Sequence, residues 1–213
     1  MSLNVTILYG SVRADRQGIR AVRFIDRQFR VRGHKTDVVD TLEYRLPLLD
    51  RMYKEYDGDA PEVLERLAQI YRASDGFVVV SGEYNHGIPP ALKNLLDHFL
   101  EEYFYRPSGI VCYSAGRFGG VRAAMQLRMT LAELGTPSIP TIFAVPHVQD
   151  VFAEDGMPTD PAFERHVKGF LDEFEWYANA LKSARTPSMP GTHIATSTEC
   201  GVGESTETAS GAD

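Results

Sequence analysis

Cysteine is scarce in this chain: Cys112 and Cys200 are the two among 213 residues. Cys112 falls in an apolar run and Cys200 in a polar stretch, so no structural disulfide is expected. No Cys/His spacing offers a structural zinc site either, and no metal is expected. Long apolar runs are missing too. No segment reaches membrane-spanning length, and the start lacks a basic-then-apolar signal pattern, which predicts a soluble cytoplasmic protein. Basic charge is not in excess. Lys and Arg number 22 against 29 Asp and Glu, a net charge of -7, which argues against a nucleic-acid partner. There is no Gly-x-Ser-x-Gly elbow, no Walker loop, and no Gly-x-Gly-x-x-Gly after the first strand. These absences set aside an α/β serine hydrolase, a P-loop NTPase and a dinucleotide-binding Rossmann site. His34, His98, His147, His166 and His193 show no ligand spacing and read as structural or surface residues.

The chain does have enough apolar residues, 43%, for one substantial core. Apolar periodicity alternates between strand and helix. Strands are expected at Asn4–Tyr9, Lys35–Asp40, Gly76–Ser81, Ile110–Tyr113 and Ile139–Val145, with Pro140 interrupting the last. Helical stripes are expected at Ile19, Val22, Ile25 and Phe29; at Val63, Leu67 and Ile70, opened by Pro61; at Leu92, Leu95, Leu96 and Phe99; at Met125, Met129 and Leu131; and at Phe163, Val167, Leu171, Phe174, Ala178 and Leu181. Gly33 and Gly135 are placed to end two of these helices. Leu46–Asp50 reads as a loop. Strands alternating with helices imply an α/β domain with a parallel sheet and right-handed crossovers over residues 1–185. From 186 to 213 the composition turns polar, and a disordered tail is expected.

Three strand-to-helix loops stand out, because ligands of open α/β sheets bind where strands end. Gly10–Gly18 reads as a phosphate cradle. Amides at the start of the next helix, the Ser11 hydroxyl and the guanidinium groups of Arg13 and Arg16 would all face an anion. Gln17, Gly18 and Ile19 complete its exit. The second loop, Gly82–Pro90, is flanked by glycine and stiffened by proline. The backbone amides of Glu83, Tyr84 and Asn85 and the Asn85 side chain suit the polar edge of a flat ring, Tyr84 could stack on it, and Gly87 allows close approach. The alternative is that Asn85 merely holds a turn and Tyr84 merely packs. The third loop, Ser114–Gly120, carries Gly116, Gly119 and Gly120. Arg117 within it is either a phosphate contact or a solvated charge.

On the motifs Gly10-Ser11-x-Arg13-x-x-Arg16-x-Gly18, Glu83-Tyr84-Asn85-x-Gly87-x-Pro89 and Ser114-x-Gly116-x-x-Gly119-Gly120, the chain resembles the NADPH-dependent FMN reductases of the flavodoxin-like superfamily. Quinone, azo-dye and chromate reductases belong to that group. One departure is Gly82, where the family commonly has proline. The resemblance covers about residues 3 to 182. It implies a flavodoxin-like three-layer sandwich with a five-stranded parallel sheet of order 2-1-3-4-5 and helices on both faces. It implies FMN held by the three loops, with NADPH or NADH as co-substrate. Electrons would pass by ping-pong from NAD(P)H through FMN to a quinone, free flavin, azo dye or metal-ion acceptor. Arg117 is the candidate contact for the NADPH phosphate. No residue is assigned as catalytic, since the flavin carries the chemistry; His86 is read as a substrate contact.

The competing reading is a flavin-binding electron carrier or regulatory module without NAD(P)H turnover. The Arg13 and Arg16 loop favours the reductase. The resemblance also implies a homodimer or homotetramer. Asn94–Leu100 with Tyr103-Phe104-Tyr105 is the apolar surface expected to form the contact, unless those side chains face the monomer's own core.

Overall fold

A computed structural model describes residues 1–185. The polar tail expected from residue 186 lies outside the described residues. In chain order the elements are β1 (Asn4–Tyr9), α1 (Ile19–Val31), β2 (Lys35–Asp40), α2 (Thr41–Tyr44) and a 3₁₀ turn at Tyr53–Tyr56. Next come α3 (Glu62–Ala73), β3 (Gly76–Ser81), α4 (Pro90–Asp97) and a second 3₁₀ turn at Glu101–Tyr103. The chain continues with β4 (Ser108–Tyr113), α5 (Val121–Glu133), β5 (Ser138–Val145), α6 (Val148–Val151) and α7 (Ala162–Arg185).

The five strands form one sheet in the order β2-β1-β3-β4-β5, and every pairing is parallel. This is the expected flavodoxin-like order. The central strands β3 and β4 are buried along their whole length, as strands covered on both faces must be. Period-2 alternation then splits the core. Val5, Ile7 and Tyr9 of β1, Val78 and Val80 of β3 and Val111 of β4 pack with α1 and α7. Leu8, Phe77, Val79 and Ile110 pack with α3, α4 and α5 on the other face. Burying each such side chain contributes about 1.5–3 kcal/mol.

Gly33 and Gly135 (φ 82 and 72) stand just past α1 and α5, and their N–H groups bond Arg30 and Ala132 carbonyls, as expected of helix ends. Pro140 sits on the edge strand β5, where a register irregularity opposite Ser108 and Ile110 absorbs its missing N–H.

Three readings of the sequence are corrected. In α3 the buried stripe is Leu64, Leu67, Ala68 and Tyr71, with Val63 and Ile70 only partly covered. In α5 the buried residues are Ala123, Ala124, Leu127 and Leu131, while Met125 and Met129 are 49% and 70% exposed. Small alanines let that helix lie close to the sheet, so its inward face is the less conspicuous one in sequence. The surface expected to meet a second subunit is core instead. Leu95, Leu96, Phe99 and Tyr103 are at most 1% exposed. Phe99 packs edge-on against Tyr71 at 4.8 Å and Tyr103 against Phe77 at 5.1 Å.

Candidate functional site

The loops after β1, β3 and β4 emerge side by side, because those three strands are neighbours in the sheet. The chain runs outward from β1 in one direction to β2 and in the other to β3. That reversal opens a crevice at the carboxyl ends of β1 and β3.

In the first loop, Gly18 precedes α1, which has no side-chain cap and no acidic residue in its first turn. The positive end of a 13-residue helix is therefore left open. Beneath it, the Tyr9 hydroxyl is buried and makes no hydrogen bond of good geometry among the described residues, with the Tyr113 and Ser11 hydroxyls near by. Burial raises the Tyr9 pKa, and the neighbouring Tyr113 and Ser11 hydroxyls oppose that rise. An orphaned donor next to an uncapped helix start fits a phosphate. Ser11 is 3% exposed, and its hydroxyl lies 3.5 Å from that of Tyr84, so the first and second loops touch. Arg13 is exposed.

Arg16 departs from the expected cradle. Its Nη1 donates to the Asp40 carboxylate at 2.5 Å and to the Ser11 carbonyl at 3.1 Å, with the guanidinium carbon 5.2 Å above the Tyr9 ring. Asp40 is 3% exposed and needs a counter-charge. The hydrogen bond to Asp40 is the main cause raising the Arg16 pKa above its ordinary value. Arg16 thus neutralises a carboxylate that would repel an anion, and Arg13 is the cation left on the loop. Gln17 donates to Asp15 at 2.6 Å, and Ile19 packs from α1 onto the core.

In the second loop the Glu83 side chain turns to α5. Its carboxylate accepts from the backbone N–H groups of Arg122 and Ala123 at 3.0 and 3.3 Å, and from the Arg122 guanidinium at 3.2 Å. The positive end of α5 is thereby occupied, unlike that of α1. Tyr84 and Gly87 exchange both backbone hydrogen bonds, at 3.1 and 2.9 Å. Asn85 and His86 between them have φ of 49° and 67°, the signature of a tight mirror-image turn. The turn reading of Asn85 is therefore present in the structure. Asn85 and His86 are exposed at its tip.

In the third loop Ser114 donates to the Gly116 carbonyl at 2.8 Å, and Gly119 and Gly120 take φ of 61° and 80° to lead into α5. The guanidinium groups of Arg117 and Arg122 stack 4.9 and 4.3 Å from the exposed Phe118 ring. Cys112, just below, is inert: burial pushes its thiol up to about 12.

The sequence reading missed the braces. Gln126 of α5 donates to the His86 carbonyl and accepts from the Ile88 N–H, both at 3.3 Å. His147 and Gln149, around the start of α6, bond the Ala115 carbonyl at 3.1 and 3.3 Å. A polar residue on a helix gives no local signal that it clamps a loop some 40 residues away in sequence. Beside the first and second loops lies an apolar groove of about 480 Å³, lined by residues including Val12, Leu42, Tyr44, Leu46, Leu48 and Pro90.

Residues 3–150 match the model of the NADPH-dependent FMN reductase family. The chain belongs to that family. It is similar to the quinone reductase of Escherichia coli K12, 34% identical over 143 residues, covering 64% of this chain and 76% of that one. It is also similar to an NADPH azoreductase from Bacillus sp. strain OY1-2, 26% identical over 65% of this chain and 79% of that one. Among solved structures, the flavoenzyme NAD(P)H:(acceptor) oxidoreductase FerB from Paracoccus denitrificans shares the fold with a TM-score of 0.70. It is 22% identical, and the match covers 85% of this chain and 98% of that one. Membership makes this FMN reductase relative an oxidoreductase, with FMN as its flavin and NAD(P)H as its electron source. Among the described residues no helix is long and apolar enough to cross a membrane.

Proposed function

We propose that this chain uses tightly held FMN to pass electrons from NAD(P)H to a small aromatic acceptor of the quinone class in ping-pong order. The observation that carries this reading is the pairing of an open, acid-free α1 start with an orphaned buried Tyr9 hydroxyl beneath it. One open helix start beside the switch point suits a single phosphate, because the start of α5 is already filled by Glu83.

In this reading Ser11, Arg13 and the first amides of α1 bind the phosphate, while Arg16 holds the loop in shape against Asp40. The amides of Glu83 and Asn85, with the Asn85 side chain, orient the ring edge. Tyr84 closes the ring from solvent, and Ser114, Gly116, Gly119 and Gly120 cover its far side. Bound between these loops, FMN would supply the two-electron chemistry that links a nicotinamide donor to an acceptor. The apolar groove at Val12 and Leu42 supplies a surface for an aromatic acceptor. His86, exposed on the ring-side turn, contacts substrate. Arg117 takes the NADPH phosphate. The exposed stripe of Val121, Met125 and Met129 on α5, rather than the α4 region, is the surface a second subunit would cover.

The test is direct. Flavin released by heat from purified protein should run as FMN, and both nucleotides should be consumed when a quinone is supplied. A colourless protein that neither takes up FMN nor oxidises NAD(P)H overturns the reading; a yellow protein without turnover reduces it to a carrier.

A further inference from the structure

Tyr113 ends β4 and is 8% exposed, yet its ring meets glycines from two other loops. A Cβ built on Gly18 would stand 2.0 Å from Tyr113 Cζ and 2.3 Å from its hydroxyl oxygen. One built on Gly82 would stand 3.1 Å from both atoms. The first separation is impossible for real atoms, and the second is tighter than ordinary contact. Tyr113 therefore fills volume that side chains at 18 and 82 would otherwise take. Its ring centroid lies 6.4 Å from that of Tyr9, so the orphaned hydroxyl under the first loop has the same neighbour. Gly82 is also the position where the resembled motif departs from proline. The small residue and the large one explain each other: any side chain at 82 starts with a Cβ pressed against the Tyr113 ring.

We propose that Tyr113 is a positioning residue of the flavin cradle: its ring spaces the first loop from the second, with Gly18 and Gly82 as its small partners. The inference rests on the flavin reading above. Either change alone should disturb the cradle. Tyr113→Ser leaves a void between the loops, and Gly82→Pro drives the second loop away from the Tyr113 ring. The two positions touch, so their effects should not add: once the Tyr113 ring is gone, a side chain at 82 no longer meets it.

The experiment measures FMN affinity by fluorescence titration of the apoproteins of wild type, Gly82→Pro, Tyr113→Ser and the double variant. Potentials of the bound flavin and melts of the apoproteins are recorded beside it. Each single variant should weaken FMN binding about tenfold and shift the potential, and the double should be no weaker than Tyr113→Ser alone, where independent effects would give about a hundredfold loss. Effects that multiply, or single variants indistinguishable from wild type, overturn the proposal. If Gly82→Pro fails to fold, Gly82→Ala replaces it in the same cycle, with the same criterion. A wild-type apoprotein that binds no FMN sinks the flavin reading instead, and the apoprotein melts still report whether positions 82 and 113 are coupled.

Discussion

The Glu83 carboxylate caps α5 by accepting from the backbone N–H of Arg122 at 3.0 Å. One side chain from the loop after β3 thus fastens the helix that follows the third loop. Glu83 is in the motif of the second loop, but its carboxylate belongs to the helix dipole and to the Arg122 guanidinium. Its backbone amide is what remains for a ligand.

Glu83→Ala should therefore lower apoprotein stability by about 1–2 kcal/mol, the usual loss of a charged N-cap. Glu83→Gln, which keeps an acceptor and loses the charge, should lose about half as much. Both are read from denaturant melts of the apoprotein. A stable Glu83→Ala variant that fails only in flavin binding would show that the carboxylate serves the ligand and not the helix.

The two arginines of the first loop should separate cleanly. Arg13→Ala should leave the melt unchanged and weaken FMN by roughly 1.5–3 kcal/mol, about ten- to a hundredfold, through a lost charge-assisted bond. Arg16→Ala strands Asp40, which is 3% exposed, and should cost roughly 3–5 kcal/mol in folding. Titration and melting on the same two variants settle the division. Equal losses of flavin affinity with no loss of stability would mean both arginines bind phosphate.

Legibility from sequence followed the range of the interaction. The strands were readable because Phe77-Val78-Val79-Val80 and Ile110-Val111-Cys112 are apolar on both faces, a pattern that only a doubly covered sheet requires. The three loops were readable because glycine recurs after β1, β3 and β4, joined by serine and arginine in the first and third and by Asn85 in the second. The inward face of α5 was not, since Ala123 and Ala124 are buried for lack of bulk while the larger Met125 and Met129 point out. The Arg16–Asp40 pair spans 24 positions and Gln126–His86 spans 40. No local pattern encodes either pairing, so Arg16 read as a free cation and Gln126 went unnoticed. Gly82 was visible as a departure, but the Tyr113 ring that a side chain there would meet comes from the neighbouring strand.

Met129 and Leu127 give a sharp contrast on one helix. Leu127 is fully buried and Met129 is 70% exposed. Leu127→Ala should destabilise the fold by about 2–5 kcal/mol, whereas Met129→Lys should stay within about 0.5 kcal/mol at the level of the monomer. If a second copy covers the α5 stripe, Met129→Lys should also shift sedimentation toward smaller species. A normal melt with unchanged sedimentation would move the subunit contact elsewhere.

His86 sits in the left-handed region at φ 67°, in the second central position of the Tyr84–Gly87 turn. Glycine is the residue that position favours, so His86→Gly should stabilise the apoprotein by up to about 1 kcal/mol. In the proposed function this exposed histidine contacts substrate. Hydride transfer from nicotinamide to flavin needs no protein proton, and His86→Ala should leave flavin bleaching by NAD(P)H within about tenfold of wild type, near 1.4 kcal/mol in barrier. Reoxidation by a quinone takes up protons and should slow more. Stopped-flow measurement of the two half-reactions distinguishes the roles. A collapse of the bleaching step by orders of magnitude, with FMN still bound, would place His86 on the nicotinamide and remove it from the acceptor.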